Sequence, residues 1–99
     1  MNTLIASAKH KGYEIKVFFE DHNEIFNDVS ARIIGYTIKN SKDEIVDSCY
    51  GYPYVGNGIS GFNDIIELIV SDIFITFSDK AELVEFKEAI HAKLLFDLI

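Results

Sequence analysis

The sequence has almost none of the residues that cross-link or interrupt a small fold. Cys49 is the single cysteine, so no internal disulfide can form, and we expect a protein of the reducing cytoplasm. Pro53 is the single proline. No stretch resembles a signal peptide, and the longest strongly apolar run, residues 73–77, is far too short to cross a bilayer. We therefore expect no membrane contact.

Positive charge is scarce as well. Nine Lys and Arg face 16 Asp and Glu, which gives a net charge of −7, and residues 43–79 contain no Lys or Arg. A second acidic cluster without basic neighbours is Glu20, Asp21, Glu24 and Asp28. Proteins that bind nucleic acid need the opposite sign to neutralise phosphates, so we expect no direct contact with nucleic acid. A basic protein partner fits the charge better, although a negative surface also serves solubility alone.

The residues that are present indicate one packed domain. The 99 residues are 48% hydrophobic and 13% aromatic, which is enough for a single modest core over residues 1–99.

Apolar periodicity predicts six elements in the order α-β-β-β-α-α. They are a helix over residues 3–11, strands over residues 13–19, 29–39 and 44–50, and helices over residues 62–73 and from 79 onward. We predict a polar loop over residues 20–28 and a last helical turn, in preference to a short strand, over residues 74–77. The fold class is therefore α+β, with a three-stranded antiparallel sheet packed against two C-terminal helices and a short N-terminal helix.

Three local signals refine this prediction. Gly35 in the middle of a strand predicts a bulge or a close approach. Asp79 followed by Glu82 resembles a capping box that opens the last helix. The end of that helix, from Leu94 onward, is apolar nearly all round, so it is either buried or a surface for a homodimer.

A glycine-rich segment, residues 50–62, joins the β half to the α half. Its residues 56–61, Gly-Asn-Gly-Ile-Ser-Gly, match the dinucleotide-binding pattern. Pro53 argues against the buried parallel strand that this pattern needs, and the chain is too short for the corresponding sheet. A flexible turn is the preferred interpretation, so we expect no cofactor.

Other candidate sites are weak. His22 beside Asp21 and Glu24 offers too few ligands for a metal, so a solvated loop is preferred. Cys49 lacks a neighbouring base and is predicted to be a small core thiol. No arrangement predicts catalysis, and we expect a protein that is not an enzyme.

Acids and tyrosines are the preferred candidates for partner binding. Tyr50, Tyr52 and Tyr54 share a parity and would project from one face of a continuing strand, where they form either an interface or the edge of the core. The full predicted set is Asp21, Glu24, Asp28, Asn40, Asp43, Glu44, Asp47, Tyr50, Tyr52 and Tyr54.

Residues 4–17 carry a resemblance to a known family. Leu4-Ile5 followed by the spacing Lys9-x-Lys11-x-Tyr13-x-Ile15-Lys16-Val17 resembles the opening of small acidic type II-A anti-CRISPR proteins. The resemblance implies a helix, three strands and two helices. It also implies a non-enzymatic phage inhibitor whose carboxylates imitate DNA phosphates at the PAM-reading arginines of the CRISPR effector nuclease. Gly12 stands where that family has an acid, and the family's dense acidic run between the last two helices is replaced by Asp72, Asp79 and Glu82.

Three functions are consistent with the sequence. The first is a small acidic inhibitor that binds a basic nucleic-acid-handling protein, as an anti-CRISPR or other anti-defence factor in the host cytoplasm. The second is an immunity or antitoxin protein that caps a toxin nuclease. The third is a small nucleotide-binding module that uses the segment from Gly56 to Gly61.

Overall fold

Four antiparallel strands and two helices make up the described part of the chain. The computed structural model describes residues 3–55 and 58–98, and describes side chains for residues 3–55 and 61–96. The elements are β1 Thr3–His10, β2 Tyr13–Phe26, β3 Val29–Lys39, β4 Ile45–Tyr54, α1 Gly58–Ser71 and α2 Lys80–Leu98. The strands form one sheet in the order β1-β2-β3-β4. The α+β class is confirmed, with four strands in place of the three predicted.

The predicted N-terminal helix is wrong, because residues 3–10 form strand β1. This strand pairs with β2 from Thr3 opposite Phe19 to His10 opposite Tyr13. Ala6 and Ala8 are buried at a period of two. Alanine favours helices, but pairing with β2 and burial beneath α2 outweigh a propensity of about 0.5 kcal/mol per residue.

The predicted polar loop over residues 20–28 is also wrong. β2 continues to Phe26, and the chain reverses at Asn27 and Asp28, whose φ angles are 50° and 65°. Asn and Asp tolerate this left-handed conformation better than most residues, and two consecutive positive φ values close a tight hairpin. Strands pair through their backbones, which does not require alternating apolar residues. The polar composition of residues 20–28 therefore predicted a loop where the structure has a hairpin.

The core lies between one face of the sheet and the two helices. The sheet contributes the alternating buried side chains of residues 15, 17 and 19 and of residues 34, 36 and 38. α1 contributes Ile65, Ile66 and Ile69, and α2 contributes Phe86, Ile90 and Leu94. α2 lies over β1, whereas α1 lies beside α2 and nearer to β4. The two predicted C-terminal helices are therefore confirmed, each with one apolar face in the core.

The connection between the helices differs from the prediction. α1 ends at Ser71, and residues 73–79 lie outside any helix or strand. Ile73 and Ile75 are buried while Phe74 is 78% exposed, an alternation that a helical turn cannot produce. The predicted cap is confirmed, since Asp79 Oδ1 accepts a hydrogen bond of 2.9 Å from the Ala81 backbone N–H.

Candidate partner-binding surfaces

The predicted binding residues do not form one surface. In an antiparallel meander successive turns lie at alternate ends of the sheet, so the β2–β3 turn is at one end and the β3–β4 turn at the other. Asp21, Glu24 and Asp28 belong to the first end. Asn40, Asp43 and Glu44 belong to the second. The two groups of residues therefore form two separate candidate surfaces.

The first end carries a projecting hairpin, which we call the acidic arm and define as residues 20–31. β1 pairs with β2 only as far as Phe19, and β4 pairs with β3 only as far as Arg32. Within the described part of the chain, residues 24–31 are therefore paired only with each other. The arm contains no Lys or Arg and holds the four carboxylates of Glu20, Asp21, Glu24 and Asp28.

Both polar and apolar side chains of the acidic arm face solvent. Asp21, Glu24 and Asp28 are exposed. Glu24 Oε1 lies 3.2 Å from His22 Nε2, a contact at the surface between neighbouring side chains of β2. Ile25 is 73% exposed and Val29 is 45% exposed, an unusual share for aliphatic residues of a hairpin. The arm therefore offers negative charge and apolar contact area together.

Arg32, which lies next to the arm and pairs with Asn23, makes an aromatic contact. Arg32 places its guanidinium 3.5 Å from the ring centroid of Phe19, a cation–π geometry. Phe19 belongs to the core on the helix-covered face of the sheet.

The second end is a compact turn of mixed charge. Asn40 Oδ1 accepts hydrogen bonds from the backbone N–H groups of Lys42 and Glu44, at 2.9 and 3.0 Å. Asp43 adopts a positive φ of 63° and its Oδ1 lies 3.5 Å from Lys39 Nζ. Asn40 therefore holds the turn together, and adjacent lysines offset the two acids.

Asp47 and Tyr52 belong to a partly buried polar network. Asp47 Oδ2 accepts a 2.8 Å bond from the Phe74 backbone N–H and lies 3.1 Å from the Tyr36 hydroxyl. Tyr52 donates its hydroxyl proton to Asp72 Oδ2 at 2.8 Å. Burial raises the pKa of the Tyr36 and Tyr52 phenols, and the neighbouring Asp47 and Asp72 carboxylates raise it further. These groups hold the end of α1 against β3 and β4.

The predicted row of tyrosines on one face is wrong. The register shifts between Ile34 and Gly35 because Gly51, at a φ of 103°, is an extra residue in β4. Tyr50 consequently lies over Gly35 on the open face of the sheet and is 73% exposed. Tyr52 is 8% exposed and packs on the opposite face.

Tyr54 of β4 and Gly35 of β3 each make a close contact next to these tyrosines. Tyr54 stacks on Phe62 of α1, with ring centroids 4.4 Å apart and planes inclined by 20°. The close approach predicted at Gly35 is confirmed, because a Cβ there would lie 2.9 Å from Tyr50 Cβ. Of the three tyrosines, Tyr50 is thus the one that presents most of its surface to a partner.

Neither a nucleotide motif nor a nucleophile is assembled at the sites considered from the sequence. Gly56 and Asn57 lie outside the described residues, while Gly58 to Gly61 form the first turn of α1. The dinucleotide pattern works between a parallel strand and a helix, whereas the described strands are all antiparallel. Cys49 is exposed on β4, so its prediction as a core thiol is wrong.

Metal ligands do not converge in the described part of the chain either, since residues 3–55 and 58–98 contain no group of three or more His, Cys, Asp or Glu that could hold an ion. Neither described helix combines the length and the apolar character that a membrane crossing requires.

Comparison with protein-family models, with curated proteins and with solved structures finds no match to this chain.

Proposed function

We propose that this protein is a small acidic inhibitor that inserts its acidic arm into the basic cleft of a nucleic-acid-handling protein. The observation that supports this function is the arm itself: it has four carboxylates and no Lys or Arg, and the exposed Asp21, Glu24 and Asp28 belong to a hairpin that extends beyond the strands beside it. A cleft that binds phosphates through Arg and Lys would accept these carboxylates as substitutes.

The apolar residues of the arm give such a contact its strength. Exposed rim charges mainly speed encounter and select the partner, whereas buried apolar contacts supply much of the affinity. Ile25, at the tip, is 73% exposed in the free protein and would be covered in the complex. We therefore assign Ile25 and Val29 as apolar anchors and the carboxylates as the groups that orient them.

An anti-CRISPR or other anti-defence role is the first choice within this class. Its support is the acidic arm together with the sequence resemblance of residues 4–17. The resemblance implied an N-terminal helix, whereas those residues form β1, a turn and the start of β2, so it rests on sequence alone. An immunity protein would use the same carboxylates in the same way, with a toxin nuclease as its basic partner.

A pair of matched double variants tests the function. Glu24→Lys with Asp28→Asn changes the arm by three charges, and Glu44→Lys with Asp43→Asn makes the same change at the β3–β4 turn. Both pairs place asparagine at a positive φ, where it is tolerated. Each variant is titrated into DNA cleavage by a guide-loaded type II-A effector nuclease, and separately into the activity of any toxin nuclease encoded beside it.

We expect the arm variant to need at least about tenfold more protein for half-inhibition of one of these nucleases, which corresponds to about 1.4 kcal/mol. The turn variant should act like the wild type within about twofold. Inhibition of the effector supports an anti-defence role, and inhibition of the toxin supports immunity. Equal inhibition by the arm variant and the wild type would rule out the arm as the contact.

A further inference from the structure

The end of the sheet opposite the acidic arm contains a cavity of about 430 Å³. It lies between β1, the β1–β2 turn, the β3–β4 turn and α2, and we call it the lysine cavity. Its lining residues include Lys9, Lys11, Lys93, Glu14 and Ser41. The turn at Lys11 and Gly12 has φ angles of 48° and 86°, the geometry of a tight two-residue hairpin.

The charge of the lysine cavity is opposite to that of the whole chain. Lys9, Lys11 and Lys93 line the cavity together with the single carboxylate of Glu14, and Lys11 is also paired with Glu85, which lies outside the lining. A neighbouring cavity of about 450 Å³ shares Lys11 and Ser41 and adds Lys42 and Glu44. In a chain of net charge −7, cations therefore outnumber acids around this concave surface.

Two of the ammonium groups retain capacity for a ligand. Lys93 Nζ donates one hydrogen bond to the Lys9 backbone carbonyl, which holds it at the cavity, and within the described side chains its other two N–H donors remain for a ligand. Lys9 has a side chain that is 78% exposed, and its Nζ lies 3.7 Å from Glu14 Oε2, a loose pair. An anion at the cavity would compete with the loosely paired Glu14 carboxylate for the ammonium group of Lys9.

Lys11 adds a cation that is already oriented. Its Nζ lies 2.6 Å from Glu85 Oε1, and this hydrogen bond raises the pKa of Lys11. The group is therefore charged at neutral pH. Because Glu85 holds this ammonium group, Lys11 contributes long-range attraction to an anion at the cavity.

The opposite wall is made of small polar groups in a fixed turn. A Cβ built on Gly12 would lie 3.5 Å from Ser41 Cβ, so the two turns touch. Asn40 is held by its two bonds to backbone N–H groups, which keeps Ser41 in place. Ser41 presents a hydroxyl to the same cavity that the lysines line.

We propose that the lysine cavity binds a phosphate-bearing small molecule. Clustered ammonium groups with a hydroxyl suit a compact, multiply charged anion, and the volume exceeds what a single phosphate fills. The site lies at the other end of the sheet from the acidic arm, so it stands whether or not the arm binds a nuclease.

Inorganic pyrophosphate is the probe that tests this site. It is titrated into the isotopically labelled full chain while backbone amide resonances are followed, and the titration is repeated with Lys93→Gln and Lys9→Gln. Lys87→Gln removes the same charge from α2 without touching the lining of either cavity and is the matched control. Thermal unfolding of each variant confirms that it is folded.

We expect saturable shifts centred on residues 9–13, 40, 41 and 93. Lys93→Gln and Lys9→Gln should each weaken binding about tenfold, the effect of one charged hydrogen bond, and Lys87→Gln by less than about twofold. If Lys93→Gln does not fold, the affinity of Lys9→Gln for pyrophosphate alone tests the proposal. Absence of saturation, or equal weakening by Lys87→Gln, would overturn the proposal.

The same titration with ATP and with a short single-stranded oligonucleotide separates the sources of phosphate. Competition between ATP and pyrophosphate for the same resonances supports a small ligand. An oligonucleotide that binds more tightly than both, with the same shifts, would contradict the ligand class proposed here.

Discussion

Hydrogen bonds connect β3, β4 and the end of α1 through Tyr36, Tyr52 and Asp72. The Tyr36 hydroxyl lies 3.1 Å from Asp47 Oδ2 and 3.3 Å from the Asp72 carbonyl oxygen, and Tyr52 donates to the Asp72 carboxylate. Buried hydroxyls need such partners, since an unmatched one costs about 1–3 kcal/mol. These contacts fix where α1 ends.

The two phenols predict a loss of stability in alkali. Their pKa is raised in the folded state above the ordinary 10.0, so above about pH 10 the unfolded chain releases protons that the native protein keeps. Stability that is fully present below pH 10 is therefore lost as pH rises, by about 1.4 kcal/mol per pH unit for each phenol. Urea unfolding between about pH 8 and about pH 11 measures this slope.

Tyr52→Phe should flatten that slope by about half, because it removes one of the two phenols whose pKa is raised in the folded state. The phenylalanine variant also loses its bond to Asp72, so it should be about 1 kcal/mol less stable at neutral pH. An identical alkaline slope in Tyr52→Phe and the wild type would show that the phenol does not cause it.

For single residues, the sequence predicted features that depend on neighbouring residues, but it did not predict those that depend on the pairing of distant strands. The Asp79 cap and the close approach at Gly35 depend on neighbouring residues or on an unusual residue type, and both were predictable. The division of the tyrosines between two faces depends on the bulge at Gly51, and a glycine alone does not reveal whether it interrupts the register.

Among the elements, β1 and the acidic arm are the two that the sequence did not predict. Residues 3–11 contain alanine and lysine, which favour helices in isolation, and only the pairing with β2 makes them a strand. The arm contains polar residues on both faces, so the alternation that normally identifies a strand is absent. The helices carried long apolar stripes and were predicted correctly for that reason.

The acidic arm should be the least stable part of the sheet. Residues 24–31 have hydrogen-bonding partners only across the hairpin, and a two-stranded ribbon without an apolar cover is marginal by itself. We expect amide hydrogens of the arm to exchange at least about tenfold faster than those of residues 15–17 and 36–38, which lie within the covered sheet.

Hydrogen exchange followed by NMR measures this difference residue by residue in one sample. Equal protection of residues 24–31 and of the central strands would contradict the prediction and would indicate that the arm is held by contacts beyond its own pairing. An arm that exchanges quickly when free and slowly in a complex would in addition identify it as the bound segment.

At the scale of the whole molecule, charge is distributed unevenly between the two ends of the sheet. The acidic arm lies at one end of the sheet, and the lysine cavity lies among the turns at the other end. Net charge alone predicted a basic partner, but the sequence could not separate the two ends because it does not show which turns meet in space. A protein with this asymmetry orients itself in the field of a charged partner.

The rate of association with the inhibited nuclease, measured by stopped flow over a range of salt concentrations, tests the central claim most directly. If the acidic arm steers the encounter, the wild-type rate should fall steeply with salt, and Glu24→Lys with Asp28→Asn should be slower and less sensitive to salt. Glu44→Lys with Asp43→Asn should follow the wild type. A salt dependence that is the same for all three proteins would contradict the account.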